Sequence, residues 1–281
     1  GCDTNASAAA VNQAVADGVD VLNLSIGYSV GPSHSPWLDS TDAALLEAFR
    51  VGIITAASAG NLGPASSTIY RLPPWALVTG NTQHGRIFGY PVTINPGTGD
   101  LVSSALPSTT ELSPALASDL TNKELVWGGK SNNKDGCSAW AAGALNGKVG
   151  IVQRGNCSFK DKVQNMYNAG AVFGIVYNNV SGTPILMGSD TGVVNMPSAM
   201  ISLEDGLAME NVAAQPMRVT ILADLSSGAR PEWGDIVAHS SSRGPVNNFD
   251  LLEPDLVAPG TNILAAYSGP NQVDLMTGTS M

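Results

Sequence analysis

The sequence predicts an α/β protein, a doubly wound parallel sheet of incomplete extent, interrupted by an inserted α+β, β-rich domain. Three observations predict it. Over residues 1–83, helix-period segments alternate with short apolar runs across brief turns, the grammar of a parallel sheet with helical crossovers. From about His84 the character changes to Pro, Gly, Ser, Thr and Asn with little helical period. From about Ser226 short apolar strands and Gly/Pro turns return and lead to the last residues. The expected division is therefore 1–83, first part of the core; 84–225, insert; 226–281, second part of the core.

Residues 6–17 read as a helix, with Ala8, Val11, Ala14 and Val15 on one face and Gly18 as its stop. Residues 21–26 form a strand whose near-continuous apolar content suits burial on both faces. A helix from about Ser40 to Arg50, capped by Ser40 or Thr41, precedes a strand over 51–57. Another strand is expected over 73–80. Residues 90–135 read as short strands and loops. A strand and turn over 147–155 follow, then a helix from Ser158 to Ala169 with Phe159, Val163, Met166 and Tyr167 inward. Strands are expected again at 171–178 and 196–202.

At 281 residues the chain can bury a substantial core and leaves room for two domains. With 43% hydrophobic and 13% charged residues, 31 glycines and 17 prolines, it is globular and rich in turns. A net charge of −10 provides no basic patch to neutralise phosphates, which argues against nucleic acid or an anionic membrane as partner. No apolar run is long enough to span a bilayer. The chain opens on Gly1 and ends one residue after Ser280, so it reads as an internal piece of a longer protein. Of the cysteines, Cys137 and Cys157 flank a compact segment. They either pair, closing a loop worth roughly 3 kcal/mol in the chain-entropy model, or remain buried free thiols. Cys2 is left over, and an exported source is favoured.

Chemistry concentrates at the end of the chain. Thr277-Gly278-Thr279-Ser280-Met281 presents a hydroxyl beside a glycine that lets a substrate backbone approach. Taken alone this is an ordinary polar string. Its company is more specific: Pro254-Asp255-Leu256-Val257-Ala258-Pro259-Gly260, Ser240-Ser241-Ser242-Arg243-Gly244-Pro245 and, far upstream, Ala59-Gly60-Asn61-Leu62-Gly63. In this order the four motifs resemble the subtilisin-like serine peptidases. The region from Cys137 to about Met209, with Arg154-Gly155, Cys157, Phe159, a helix ending Ala169-Gly170-Ala171, a strand ending in Asn178 and Pro197 to Ile201, resembles the protease-associated (PA) domain. In that family this domain is commonly inserted between the oxyanion asparagine and the nucleophile, which is where it lies here.

The resemblance implies a serine endopeptidase that forms an acyl-enzyme on Ser280, with the Asn61 amide and the Ser280 N–H facing the oxyanion. It makes Leu24, Ser25, Ile26 and Gly27 the strand that pairs with an extended substrate. Ser58, Ala59 and Gly60 become the wall of the specificity pocket. Those small residues leave the wall open, which points to an apolar or aromatic side chain before the cleaved bond.

The general base is missing. His34, His84 and His239 are not followed by Gly-Thr, and none stands upstream of Asn61 in the required setting, so all three read as surface or structural. Asp190-Thr191-Gly192 matches the family's aspartate motif but falls inside the insert and reads as a turn. Arg243 and Asp255 read as holders of the turns that lead to Ser280. The piece is thus expected to be inactive alone.

No metal ligand set or cofactor is identifiable, although calcium is common in the resembled family. The expected partner is a protein or peptide substrate. The expected location is extracellular or secreted, with the cell envelope as a variant, and oligomeric state is not legible. The rival reading is a peptide- or protein-binding module built on a peptidase scaffold. An esterase is a weaker rival, because a Gly-x-Ser-x-Gly elbow is missing.

Overall fold

A computed structural model describes residues 3–27, 35–70, 73–95, 99–189, 191–212, 217–245, 251–266 and 273–281. Along the chain lie α1 (Thr4–Asp17), β1 (Val21–Leu24), α2 (Ser40–Arg50), β2 (Ile54–Ser58) and β3 (Leu77–Thr82). Then come β4 (Arg86–Asn95), β5 (Leu101–Pro107), β6 (Leu120–Trp127), β7 (Val149–Gln153), α3 (Phe159–Asn168) and β8 (Phe173–Tyr177). β9 (Ser198–Ile201), α4 (Leu203–Val212), β10 (Met217–Ile221), β11 (Ser226–Ala229), β12 (Leu256–Pro259), β13 (Ile263–Ala266) and β14 (Val273–Met276) complete the set. Two compact units result: residues 1–84 with 234–281, and residues 85–233.

In the first unit β1, β2, β3 and β12 form a four-stranded sheet in that order, with every pairing parallel. The Asp3 side chain caps α1 through the Asn5 amide, and Gly18, at φ 71°, closes it in the left-handed conformation that glycine adopts without cost. On α2 the cap is Asp39, not Ser40 or Thr41: its carboxylate accepts from the amides of Thr41 and Asp42. A carboxylate both satisfies two orphan donors and complements the helix dipole, which a hydroxyl does not. Val11, Ala44, Leu45, Ala48, Ile53 and Trp75 form the core, joined by Leu22 and Leu24. The Trp75 indole N–H is buried but donates to the carbonyl of Asp42.

The expected doubly wound sheet is not what the described residues show. Val21 and Ile54 are register partners, and the pairings Ala56–Leu77 and Thr79–Leu256 carry the same face across the sheet. Val21, Ile54, Leu77 and Leu256 on that face are 63%, 56%, 44% and 42% exposed. One face is packed under helices and the other carries none among the described residues. Strand bounds also moved. Val51 and Gly52 form the turn that delivers β2, and β3 starts at Leu77, after Pro73 and Pro74.

In the second unit seven strands close into a barrel: β10, β6, β7, β8, β9, β5 and β4, with β4 returning to β10. β6 to β9 run parallel and the remaining pairings are antiparallel. Alternate residues fill the interior, among them Tyr90, Val92 and Ile94 of β4, Phe173, Ile175 and Tyr177 of β8, and Val219 and Ile221 of β10. The intervening residues Val152, Val176 and Met200 form a second cluster with Val163 and Met166 of α3. Burial on both faces explains the continuous apolar runs of β7, β8 and β9. Tyr167, expected inward, is 41% exposed, whereas Lys162 of the same helix is fully buried. β11, expected within the second core segment, pairs with β4 inside this unit. Among the described residues no helix is long and apolar enough to cross a membrane.

Candidate active site

The hairpin β13–β14 delivers the last five residues. The Thr277 hydroxyl accepts from the Asn262 amide at 2.9 Å and donates to its side-chain oxygen at 3.2 Å. The Gly278 N–H donates to the carbonyl of Gly260 at 2.9 Å. A side chain on Gly260 would stand 2.5 Å from the Gly278 oxygen, so this approach needs glycine. Two turns are thereby locked together just before Ser280.

Asn61 meets this end of the chain. Its Oδ1 accepts from the Thr279 N–H at 3.0 Å and from the Thr279 hydroxyl at 3.2 Å. The Gly60 N–H donates to that same hydroxyl at 3.0 Å. Backbone N–H groups have no acceptor character, so the bond from Thr279 N fixes which end of the amide is oxygen. A Cβ on Gly278 would stand 3.2 Å from the Nδ2 group and 3.5 Å from Oδ1. The Nδ2 group takes no hydrogen-bond partner among the described residues.

The loop after Asn61 is held from behind by the triple-serine segment. The Gly63 N–H donates to the Ser240 carbonyl, the Ser242 N–H donates to the Gly60 carbonyl, and the Leu62 N–H donates to the Ser242 hydroxyl. The Ser241 hydroxyl accepts from the Asn81 amide. These serines therefore position the Asn61 loop. Arg243 contributes through its backbone, which exchanges bonds with Thr68. Asp255 receives the Val78 N–H at 2.7 Å and donates its own N–H to the Val78 carbonyl, which anchors β12 on β3.

The strand-end residues come together at the same place. The Ser25 hydroxyl donates to the Ser280 carbonyl at 3.0 Å, and the Ser280 hydroxyl reaches the Ser25 carbonyl at 3.5 Å. Leu24 pairs with Ala57 on β2, and Ser58 with Thr79 on β3. Ile26 and Gly27 follow, and Ala59 is buried. Between the two strand ends lies a side chain that no motif announced. A Cβ on Gly27 would be 2.8 Å from the Tyr70 ring, and one on Gly60 would be 2.6 Å from it. The Tyr70 N–H donates to the Ala59 carbonyl at 2.8 Å, fixing the ring against both glycines. The wall expected to stand open is covered by an aromatic ring. Sequence reading missed it because nothing in a tyrosine ten residues downstream of Gly60 signals the fold-back.

Among the described residues neither an imidazole nor a carboxylate contacts Ser280. His84 lies against the Asn262 carbonyl at 3.4 Å, and His239 is exposed. His34, Asp190 and Cys2 lie outside the described residues. Among the described residues no three His, Cys, Asp or Glu side chains converge as a metal site. Cys137 and Cys157 form a disulfide in the second unit.

A further acidic group stands behind the strand that leads to Ser280. Glu253 is 6% exposed, its Oε2 lacks a hydrogen-bond partner among the described residues, and burial followed by the neighbouring Asp255 charge pushes its carboxyl up to about 8.

Residues 120–209 match the PA domain family. Over 260 residues the chain is 34% identical to the minor extracellular protease Vpr of Bacillus subtilis (strain 168), an alignment that covers 92% of this chain and 30% of Vpr. It is 30% identical over 304 residues to subtilisin-like protease SBT1.3 of Arabidopsis thaliana, covering 100% of this chain and 37% of that protein. The chain thus spans 30% to 37% of the length of these relatives. The psychrophilic subtilisin-like protease Apa1 from the Antarctic psychrotroph Pseudoalteromonas sp. AS-11 superposes with a TM-score of 0.41 at 18% identity, over 83% of this chain and 59% of that one. That superposition is too loose to carry an argument.

Glu253 generates a pH prediction. The folded state holds its proton up to about pH 8, while an unfolded glutamate releases it near pH 4.3. Between those values the folded state binds more protons, so the Glu253 contribution is complete at low pH and is lost as pH rises to about 8. The urea midpoint of the first unit should fall over that range and level off above it. Glu253→Gln should flatten this part of the profile, and an unchanged slope in the variant would contradict the assignment.

Proposed function

We propose that this chain, a stretch of subtilisin-like serine peptidase sequence with a PA domain set into it, carries the nucleophile and oxyanion side of a secreted endopeptidase. Ser280 attacks the peptide carbonyl and forms the acyl-enzyme. The Nδ2 of Asn61 and the backbone N–H of Ser280 receive the charge that develops on the carbonyl oxygen. One observation supports this most: Thr279 holds the oxygen end of the Asn61 amide through two bonds, one residue before Ser280, which leaves the donor end of the amide without a partner among the described residues. Preorganised donors of this kind stabilise a transition state without reorganising during the reaction.

A serine hydroxyl needs a base to take its proton and a carboxylate to orient that base. Neither touches Ser280 among the described residues, so the isolated chain is expected to be inactive. The reaction belongs to the longer protein that supplies an imidazole. Substrates are polypeptides in this reading, laid along Leu24 to Gly27 by backbone hydrogen bonds. Tyr70, packed on Gly27 and Gly60, shortens the space for the side chain before the cleaved bond. Small side chains are therefore favoured there over aromatic ones.

The test is peptidase activity of the protein that carries this chain. Ser280→Ala should abolish turnover. Asn61→Ala should lower kcat by roughly 10²–10³ with little change in KM, a magnitude taken over from subtilisin itself. Activity that survives Ser280→Ala would favour the binding-module reading instead. Tyr70→Ala should raise kcat/KM for a peptide with phenylalanine before the cleaved bond at least about tenfold relative to one with alanine. An unchanged ratio would remove Tyr70 from the specificity site.

A further inference from the structure

The disulfide of the second unit has an unequal electrostatic environment. Lys162, in the middle of α3, is fully buried, which lysine adopts only when its ammonium is well partnered. Its Nζ donates to the carbonyls of Asp135 at 2.5 Å and Gly155 at 2.6 Å. It also stands 3.4 Å from the Sγ of Cys137. Among the described residues no cation contacts the Sγ of Cys157. We infer that Cys157 is a thiolation site, where a low-molecular-mass thiol adds with fixed polarity because Lys162 makes Cys137 the leaving sulfur.

The step balances without a further oxidant or reductant. A thiolate attacks the Sγ of Cys157 and forms a new S–S bond. The Cys137–Cys157 bond breaks, and its electron pair leaves on Cys137 as a thiolate. An adjacent ammonium stabilises that thiolate, and a more acidic leaving thiol departs faster. Attack on Cys137 would instead expel Cys157, which lacks such a partner. Both cysteines are half-buried and reachable.

Other charged groups surround the bond. The Asp135 carboxylate accepts from the Cys137 N–H at 3.1 Å and from the Asn156 amide at 2.7 Å, and these bonds hold its pKa low. Its charge opposes a thiolate on Cys137, but it is already engaged by two donors, whereas the ammonium touches the sulfur directly. Cys157 immediately precedes Ser158, the cap of α3, so the helix N-terminus could favour a thiolate there. Asp161 in the first turn accepts from the Ser158 hydroxyl at 2.7 Å and places a negative charge at that end. Lys160 turns away to the Thr191 carbonyl, and Lys134 pairs with Glu210. Burial lowers the Lys162 pKa below its ordinary value, and the Asp135 and Asp161 charges offset that only in part.

A cavity of about 450 Å³ is lined by Asp135 and Asn156, which neighbour the two cysteines in the chain, together with Trp127, Lys134 and Gln153. Thiolation therefore converts a structural bond into a capped Cys157 and a free Cys137 thiolate.

The experiment uses the intact oxidised chain. Glutathione is added to low conversion, free thiols are blocked with N-ethylmaleimide, and the two cysteines are read by peptide mass spectrometry. Because the more acidic leaving thiol departs faster, roughly tenfold more glutathione is expected on Cys157 than on Cys137. Equal labelling, or glutathione mainly on Cys137, overturns the proposal. In Lys162→Met the preference should fall to about one, and retention of the wild-type preference overturns the role of Lys162. Should that variant fail to fold, the wild-type partition still decides the polarity. Cys157→Ser then tests the thiolate directly: iodoacetamide should label its Cys137 with a pH midpoint below the ordinary value of about 8.5, and a midpoint at or above it contradicts the inference.

Discussion

The clasp between Thr279 and Asn61 is the contact on which the candidate site depends. The two residues lie far apart in the chain, and their bond closes the path from β2 to the segment that carries Ser280. Every nearby constraint feeds it. The serines at 240–242 fix the Asn61 loop, Gly278 on Gly260 fixes the approach of Thr279, and Asp255 on Val78 fixes the strand from which that approach starts. A primary amide is a donor at one end and an acceptor at the other, so occupying Oδ1 with two hydrogens determines the chemistry left at Nδ2. That arrangement fixes the oxygen end of the amide on Thr279.

Much of this was legible in the sequence because it depends on local chemistry. Gly18 closing α1 and the apolar runs of β7 and β8 follow from conformational freedom and burial, which are short-range causes. Motif order grouped Asn61 with the Gly278-Thr279-Ser280 segment, and the contact seen there is between Asn61 and Thr279. The doubly wound sheet was not found: the strands are parallel as their patterning indicated, but apolar content on Val21, Ile54 and Leu77 does not bring a second helical layer among the described residues. Apolar pattern records which faces seek cover, and it does not say what covers them.

The residues that sequence reading missed act through tertiary contacts with no local mark. Tyr70 reads as a loop residue until the chain folds it over Gly27 and Gly60, and the space the glycines leave is then filled. Lys162 belongs by its type on a solvated face, and the helix pattern assigned the inner face to Tyr167 instead. The disulfide and two carbonyls supply the partners that make its burial tolerable. Glu253 reads as one more acid in an acidic chain until its environment is known. In each case the sequence shows the group, and only the packing shows its state.

The central claim is that Asn61 donates to the oxyanion formed at Ser280. It is tested most directly by a crystal structure of the protein carrying this chain with a peptide boronate bound to Ser280. The account predicts a boronate oxygen within about 2.7–3.1 Å of the Asn61 Nδ2 while Oδ1 keeps its two bonds from Thr279. A tetrahedral boronate whose oxygens lie away from Asn61, or an Asn61 amide turned to face it with oxygen, would contradict the account.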